Sequence, residues 1–598
     1  MRFFKLAASV SLILIFMSNM AGAAGNTQIT YTVTFPEAQA HYIDVEMHIK
    51  GLKQQATEIK MPVWAPGSYL VREFAKNVEG FVAEGNGSML YAVKTSKNTW
   101  RVSTAGVKDL TVRYRVYAFE ISVRTSFVDA SHAFLSNSGV FMYPKGMLNE
   151  PSTVKIIPYK GWTKVSTGLD AVGNDPFVLK APNYDILFDS PIEVGTQDTF
   201  DFIVDGVKYE MAMYGSGTYN KDRLTKDLTK LIKAQTSLFG ENPNKRYTFI
   251  VHHFLKGGGG LEHLNSTVLG ASRDAYSTEK GYQGFLELAS HEHFHLWNVK
   301  RLRPIALGPF DYENENYTTN LWIAEGFTAY FEYKTIRQAS LYPESTFITT
   351  LTGDINTNEN QPGGKIQSVA ESSFDAWIKY YRPNENSANS TISYYGKGSL
   401  IGYLLDLEII NSSNAQYSLD DVMRYMYNEY YKSLKRGYTD AEFKLGLEKF
   451  AGKKLDNFYR DYINGVTVIN HDKYLGYAGY KLIDELAGSN TPALGVATSN
   501  TNNRFLVTTV SRNTSAWVGG INVNDELVAI DGTPVTDMTT ILNGKKPGDK
   551  IDVTINRDGL EMILPIVLLK SNKTRYKIEP VDNPSKKQLS VRQKWLAL

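Results

Sequence analysis

The sequence predicts a multidomain α+β protein: an all-β domain first, a helix-rich middle, and a small β-rich module near the end. Three observations carry that reading. At 598 residues the chain exceeds what one hydrophobic core supports, so three or more domains are expected. From Gln28 onward apolar and polar residues alternate, as in 29–35 (ITYTVTF) and 42–49 (YIDVEMHI), the period-two signature of strands. After Asp222 the period lengthens to that of helices and returns to short strands past Gly476.

Taken in order, strand signals continue through 110–117 (LTVRYRVY) and 153–158 (TVKIIP), so roughly the first 200 residues read as all-β. Within them the Pro- and Gly-punctuated segment 61–74 reads as a loop bracing a sandwich. Leu224, Leu228, Leu231 and Ile232 mark a helix that Gly240 and Pro243 close. A strand at 247–254 then runs into four glycines, 257–260. No G-K-[ST] follows, so a phosphate cradle is excluded, and the glycines are expected to let the edge at Gly259 and Gly260 approach a bound ligand. Helices follow at 281–297, 321–333, 345–351, 394–410, 419–431 and 440–450. Short strands at 493–496 and 504–510, with a tight turn at Asp531-Gly532, build the last module.

Composition narrows the function. A hydrophobic fraction of 42% and a charged fraction of 21% describe a folded chain, not a disordered one. Arg2 and Lys5, the apolar run 6–17 and the small residues 21–23 read as a cleaved leader, 1–23. Its loss removes two of the charges behind the formal +2, and the neutral remainder gives no electrostatic case for nucleic acid or an anionic membrane. No later stretch is apolar enough to span a bilayer, and with no cysteine there is neither a disulfide framework nor a lipid-anchor site. Export to a bacterial periplasm or beyond is expected.

The chemistry points to residues 291–295, His-Glu-His-Phe-His, an H-E-x-x-H motif. On a helix His291 and His295 lie one turn apart on one face, where both imidazoles can bind one divalent metal with Glu292 beside a metal-bound water. His293 is read as a bystander. Glu325 sits among Trp322, Ile323 and Phe327, and a carboxylate there is costly to bury unless it binds metal or pairs with a charge. It is the expected third ligand of a site holding one Zn2+, with Glu313 and Glu315 as competitors.

Several stretches together resemble one family. Residues 61–74 (MPxWxPGSYxxRxF), 258–263 (GGGLEH), 291–304, 322–330 (WIAEGFTAY), 394–398 (YYGKG) and 493–535 identify the chain as a member of the M61 metallopeptidases, the glycyl aminopeptidase family with a PDZ domain. That family is similar to thermolysin and the M1 aminopeptidases. The resemblance implies an N-terminal all-β domain (24–205), a thermolysin-like catalytic domain (206–345), an α-helical domain (346–474), a PDZ-like domain (475–570) and a tail (571–598) that docks on the body. It implies His291, His295 and Glu325 as zinc ligands and Glu292 as general base. Glu262 would bind the substrate's free α-amine, although His263 stands where the related motif has Asn. Tyr395, or its neighbour Tyr394, would stabilise the oxyanion. The expected activity is removal of small N-terminal residues from peptides. A zinc endopeptidase, or a scaffold whose Leu494, Gly495 and Val496 hold a C-terminal peptide, are the alternatives.

Overall fold

The computed structural model describes residues 27–256, 258–502 and 504–596. The leader expected at 1–23 lies outside the described residues. The first domain is built on the hairpin Gln28–Thr34 and Tyr42–Lys50, whose inward residues Tyr31, Val33, Ile43, Val45 and Met47 alternate with less buried ones. Six further strands extend it to an eight-stranded sheet, with one parallel pairing, Gln28–Thr34 on Ser152–Ile157. Two four-stranded sheets flank it and share its core.

The second sheet has five strands, in the order Asp198–Val204, Val207–Tyr214, Arg246–Phe254, Ser266–Ser272 and Gly260–Glu262. Three central strands run parallel, and Gly260–Glu262 forms an antiparallel edge. Asp198–Val204 was expected in the first domain. It folds back through Asp205-Gly206, both at positive φ, onto Val207–Tyr214, so the boundary falls near residue 197.

Helices α1 (Lys221–Phe239) and α2 (Glu279–Phe294) pack on this sheet. The helix expected at 321–333 is two: α3 (Leu321–Ala324) and α4, which runs further than expected (Gly326–Gln338), parted at Glu325. Helix α5 (Tyr394–Ser412) is buried almost continuously from Gly398 to Ile410, mostly through apolar residues, with its buried acids Asp406 and Glu408 paired to Lys334 and Lys453. It runs through a single core that joins the five-stranded sheet to most later helices outside the small module, so the helical region expected at 346–474 has no core of its own.

The small module keeps a separate core, from Leu494 to Leu568, inside a six-stranded sheet. Its expected start at 475 is too early. Tyr480–Asp484 pairs with Tyr576–Pro580, so both segments belong to the body and the module is inserted between them. The tail continues into α6 (Lys586–Leu596), where the Trp595 Nε1 donates to the Tyr330 hydroxyl at 2.9 Å. That hydroxyl in turn donates to Asp406, which is shared with the buried Lys334. No helix of the described residues is long and apolar enough to cross a membrane.

A buried polar contact helps tie the first two domains. Glu193 accepts from His132 Nδ1 at 2.7 Å and from His252 Nε2 at 2.9 Å, with all three side chains sealed from solvent. Burial pushes the Glu193 carboxyl up, but the two imidazoles outweigh it and hold the acid below its ordinary range.

Candidate active site

Helix α2 begins at Thr278, whose side chain caps the Gly281 amide, and ends with His295 as its C-cap. The Nε2 atoms of His291 and His295 face each other at 3.1 Å. Glu325 Oε2, delivered by the break between α3 and α4, lies 3.2 Å from His295 Nε2 and 3.6 Å from His291 Nε2. An ion with tetrahedral bonds of about 2.05 Å requires ligand–ligand edges of about 3.3 Å, which these three distances bracket.

The other ring nitrogens fix which atoms point inward. His291 Nδ1 donates to Glu332 at 2.6 Å, and His295 Nδ1 to the Asn298 carbonyl at 2.9 Å. With Nδ1–H so engaged, each imidazole in its neutral form turns a bare Nε2 lone pair toward the other. Burial alone would lower both rings, but the carboxylates around them raise both, so the point between them draws positive charge either as protons or as a metal ion. Two lone pairs and a carboxylate aimed at one point repel unless a cation sits there. Glu325 Oε1 and Glu292 Oε2 are likewise buried with no hydrogen-bond partner. The residues present fit a zinc ion.

Glu292 lies on the same helix face. Burial pushes its carboxyl up to about 7, against the pull of His291 and His295. Burial would raise Glu325 too, but His295 and His291 outweigh it and hold it at about 2, ionised. The edge strand meets Glu292 directly: a Cβ on Gly260 would fall 2.2 Å from Glu292 Oε1, so only glycine lets the strand come this close. Gly259, at φ +79, continues the edge. Glu262 ends the strand, buried, with Oε1 unpartnered. Its neighbour His263 turns to Asp189 at 3.0 Å.

Tyr395 lines the same cleft, its ring 6.1 Å from that of His291. Tyr394 is wholly buried beneath it and does not line the cleft. Helices α4 and α5 cross here at backbone distance, since a Cβ on Gly326 would lie 2.5 Å from Gly398 Cα. Glu313 is drawn off to Lys60 at 2.5 Å, and neither it nor Glu315 lines the cleft. His293 points into the core, between Gln235 and Tyr209, and burial lowers it to about 3.

Several cleft residues escaped the sequence reading, four of which bear on its chemistry. Glu332, seven residues or about two helical turns beyond Glu325, could have been found from helical spacing. Gly67, Arg72 and Arg124 reach the cleft from the first domain. Gly67, at φ +88, leaves 2.5 Å between an added Cβ and the Glu262 carboxylate, so segment 61–74 closes that end of the cleft and is more than a brace. Residues 494–496 border a separate groove with Lys545 and Lys573; Leu494 itself is part of the module's core.

Two imidazoles and a carboxylate around one point, with a second acid alongside and an open cleft, define a metal-dependent peptidase. Family models agree along the chain: the Peptidase M61 N-terminal domain matches residues 30–196, M61 glycyl aminopeptidase 284–401, and a PDZ domain 492–566. An aminopeptidase N family protein from Idiomarina loihiensis, known by crystal structure, is 31% identical, with 95% of this chain and 100% of that one covered at a TM-score of 0.88. This chain belongs to the M61 family of metallopeptidases. An M1 zinc metallopeptidase from Deinococcus radiodurans is 12% identical over 74% of this chain and 95% of its own, at a TM-score of 0.48. A serine protease Do-like HtrA from Lactobacillus helveticus is 37% identical over 73 residues, and the chain spans 18% of its length.

Proposed function

We propose that the protein is a zinc aminopeptidase that removes small N-terminal residues, glycine or alanine, from peptides, with one zinc per chain. The observation carrying the reading is that an unpartnered Glu262 shares one cleft with Glu292 and the His291–His295–Glu325 cluster. His291, His295 and Glu325 would hold the ion, which when bound activates water and polarises a carbonyl.

The chain's own residues do the rest. Glu262 accepts hydrogen bonds from the substrate's α-ammonium and sets the scissile bond one residue in. Glu292, raised toward neutrality, takes the proton of the attacking water and passes it to the leaving amine. The Tyr395 hydroxyl donates to the negative charge developing on the scissile carbonyl oxygen, a contribution of about 3–4 kcal/mol. Gly259 and Gly260 offer the substrate a backbone edge. Closure of the cleft behind Glu262 by Gly67 favours an exopeptidase over an endopeptidase, which needs room on both sides.

The inserted module supports an accessory role, binding a peptide C-terminus at Leu494, Gly495 and Val496. The leader supports export, to the periplasm or beyond.

The test compares glycyl and alanyl peptides carrying free or acetylated N-termini, in wild type and Glu262→Ala. Wild type should cleave the free-amine forms at least about 100-fold faster, and Glu262→Ala should erase most of that gap. Equal cleavage of both forms by wild type ends the exopeptidase reading.

A further inference from the structure

Two guanidinium groups face the cleft without an acidic partner. Arg124, from the first domain, donates from Nη2 to the Gly260 carbonyl at 3.2 Å, and its Nη1 lies 3.7 Å from where a Gly259 Cβ would be. Arg72 is held by the Ser68 hydroxyl at 2.9 Å. Both are half-buried, both have their Nε covered and unpartnered, and among the described residues no carboxylate lies within 4 Å of either. Of the acids that share the cleft, Glu325, Glu332 and Glu292 surround the histidines, Glu262 abuts Gly67, and Asp354 enters from the helix Glu344–Glu359. Two like charges withdrawn side by side from water are costly unless an anion completes them. A planar fork with free N–H groups is the donor set that suits a carboxylate.

Position gives the anion's identity. Gly260, whose carbonyl Arg124 holds, is two residues from Glu262 on the edge strand Gly260–Glu262, which at about 3.3 Å per residue is about 7 Å before the reach of the guanidinium is added. An extended peptide of two or three residues separates its ammonium from its carboxylate by about 7–10 Å. The cleft, at about 680 Å3, holds a molecule of that size.

We propose that Arg124, assisted by Arg72, binds the C-terminal carboxylate of a di- or tripeptide, so that the enzyme measures its substrate between Glu262 at one end and Arg124 at the other. Resting on the aminopeptidase reading, this adds a length limit that the metal site and Glu262 do not impose. Arg124 is a specificity residue; it has no part in the bond-breaking steps. Because it comes from the first domain, that domain reads the substrate's far end.

The experiment uses the full zinc-loaded chain and three peptide lengths, Gly-Ala, Gly-Ala-Ala and a glycine-led hexapeptide, each as free acid and as C-terminal amide. For the two short peptides, kcat/KM should favour the acid over the amide by about 10–100-fold, mostly through KM. The hexapeptide should show no such preference. Arg124→Ala should cut the short-peptide acid-to-amide ratio at least tenfold, and Arg124→Lys should restore part of it, which a folding defect would not do. Calorimetric binding of Gly-Ala and its amide to the Glu292→Gln protein, with and without Arg124→Ala, gives the same comparison without turnover. Equal kcat/KM for acid and amide, or a ratio that Arg124→Ala leaves unchanged, overturns the proposal. Equal cleavage of N-acetylated and free peptides would instead refute the aminopeptidase reading, and the binding comparison would still decide the role of Arg124.

Discussion

The protein contains two buried sets of two histidines and one glutamate, and they are built in opposite ways. Around Glu193 the carboxylate sits between the imidazoles and accepts an N–H from each, at 2.7 and 2.9 Å. Around Glu325 the histidines face each other, their N–H groups engaged elsewhere, and the three inward atoms stand 3.1–3.6 Å apart. The first geometry satisfies its carboxylate and both inward imidazole nitrogens by direct contact, although His132 Nε2 on the far side of the ring is buried without a partner. The second is complete only around a cation. Residue type and burial do not separate a structural staple from a metal site; the partner of the remote imidazole nitrogen does.

The largest effect that sharpens this contrast is expected at the second set. His295→Ala should abolish stoichiometric zinc, read by metal analysis of the purified chain, and lower peptidase activity at least about 10^3-fold. Full zinc retention would mean the ion is held elsewhere. Next, Glu193→Gln should keep its zinc while losing about 3–5 kcal/mol locally, seen as a lower midpoint of thermal unfolding. The sign of its pH dependence follows from the depressed Glu193 pKa: the stabilisation is present above the ordinary carboxyl value of 4.5 and fades as pH falls through the folded-state value. The gap between wild type and variant should therefore narrow in acid; a gap that widens, or a loss of zinc, would put a metal at Glu193. Smallest is Glu332→Gln, expected to weaken zinc 10–100-fold in competition with a chelator by loosening His291. An unchanged affinity would show that the Nδ1 contact does not orient the ligand.

Much of the candidate site was legible because its parts are local or chemically conspicuous. His291, Glu292 and His295 share a helix turn, and Glu325 is an acid in an apolar run. Sequence favours Tyr395 but keeps Tyr394 as its rival, since neighbours on a helix differ only in the direction they face, which packing decides. Arg72 and Arg124 were invisible for another reason: each is an ordinary arginine until the first domain folds more than 130 residues of sequence back onto Gly260. The Glu193 staple has the same origin, joining residues 59 and 61 positions apart. The body strands flanking the small module were missed because their pairing spans the whole insertion.

The contact of Gly326 with Gly398 fixes one dimension of the site. Glu325, at the break before α4, and Tyr395, on α5, are carried by segments whose backbones touch, with no side chain between them to trim or enlarge. The spacing of this carboxylate and phenol is thus set by peptide groups that substitution cannot resize. The rim, where segment 61–74 and Arg124 enter from a different domain, is built of side chains that substitution can resize.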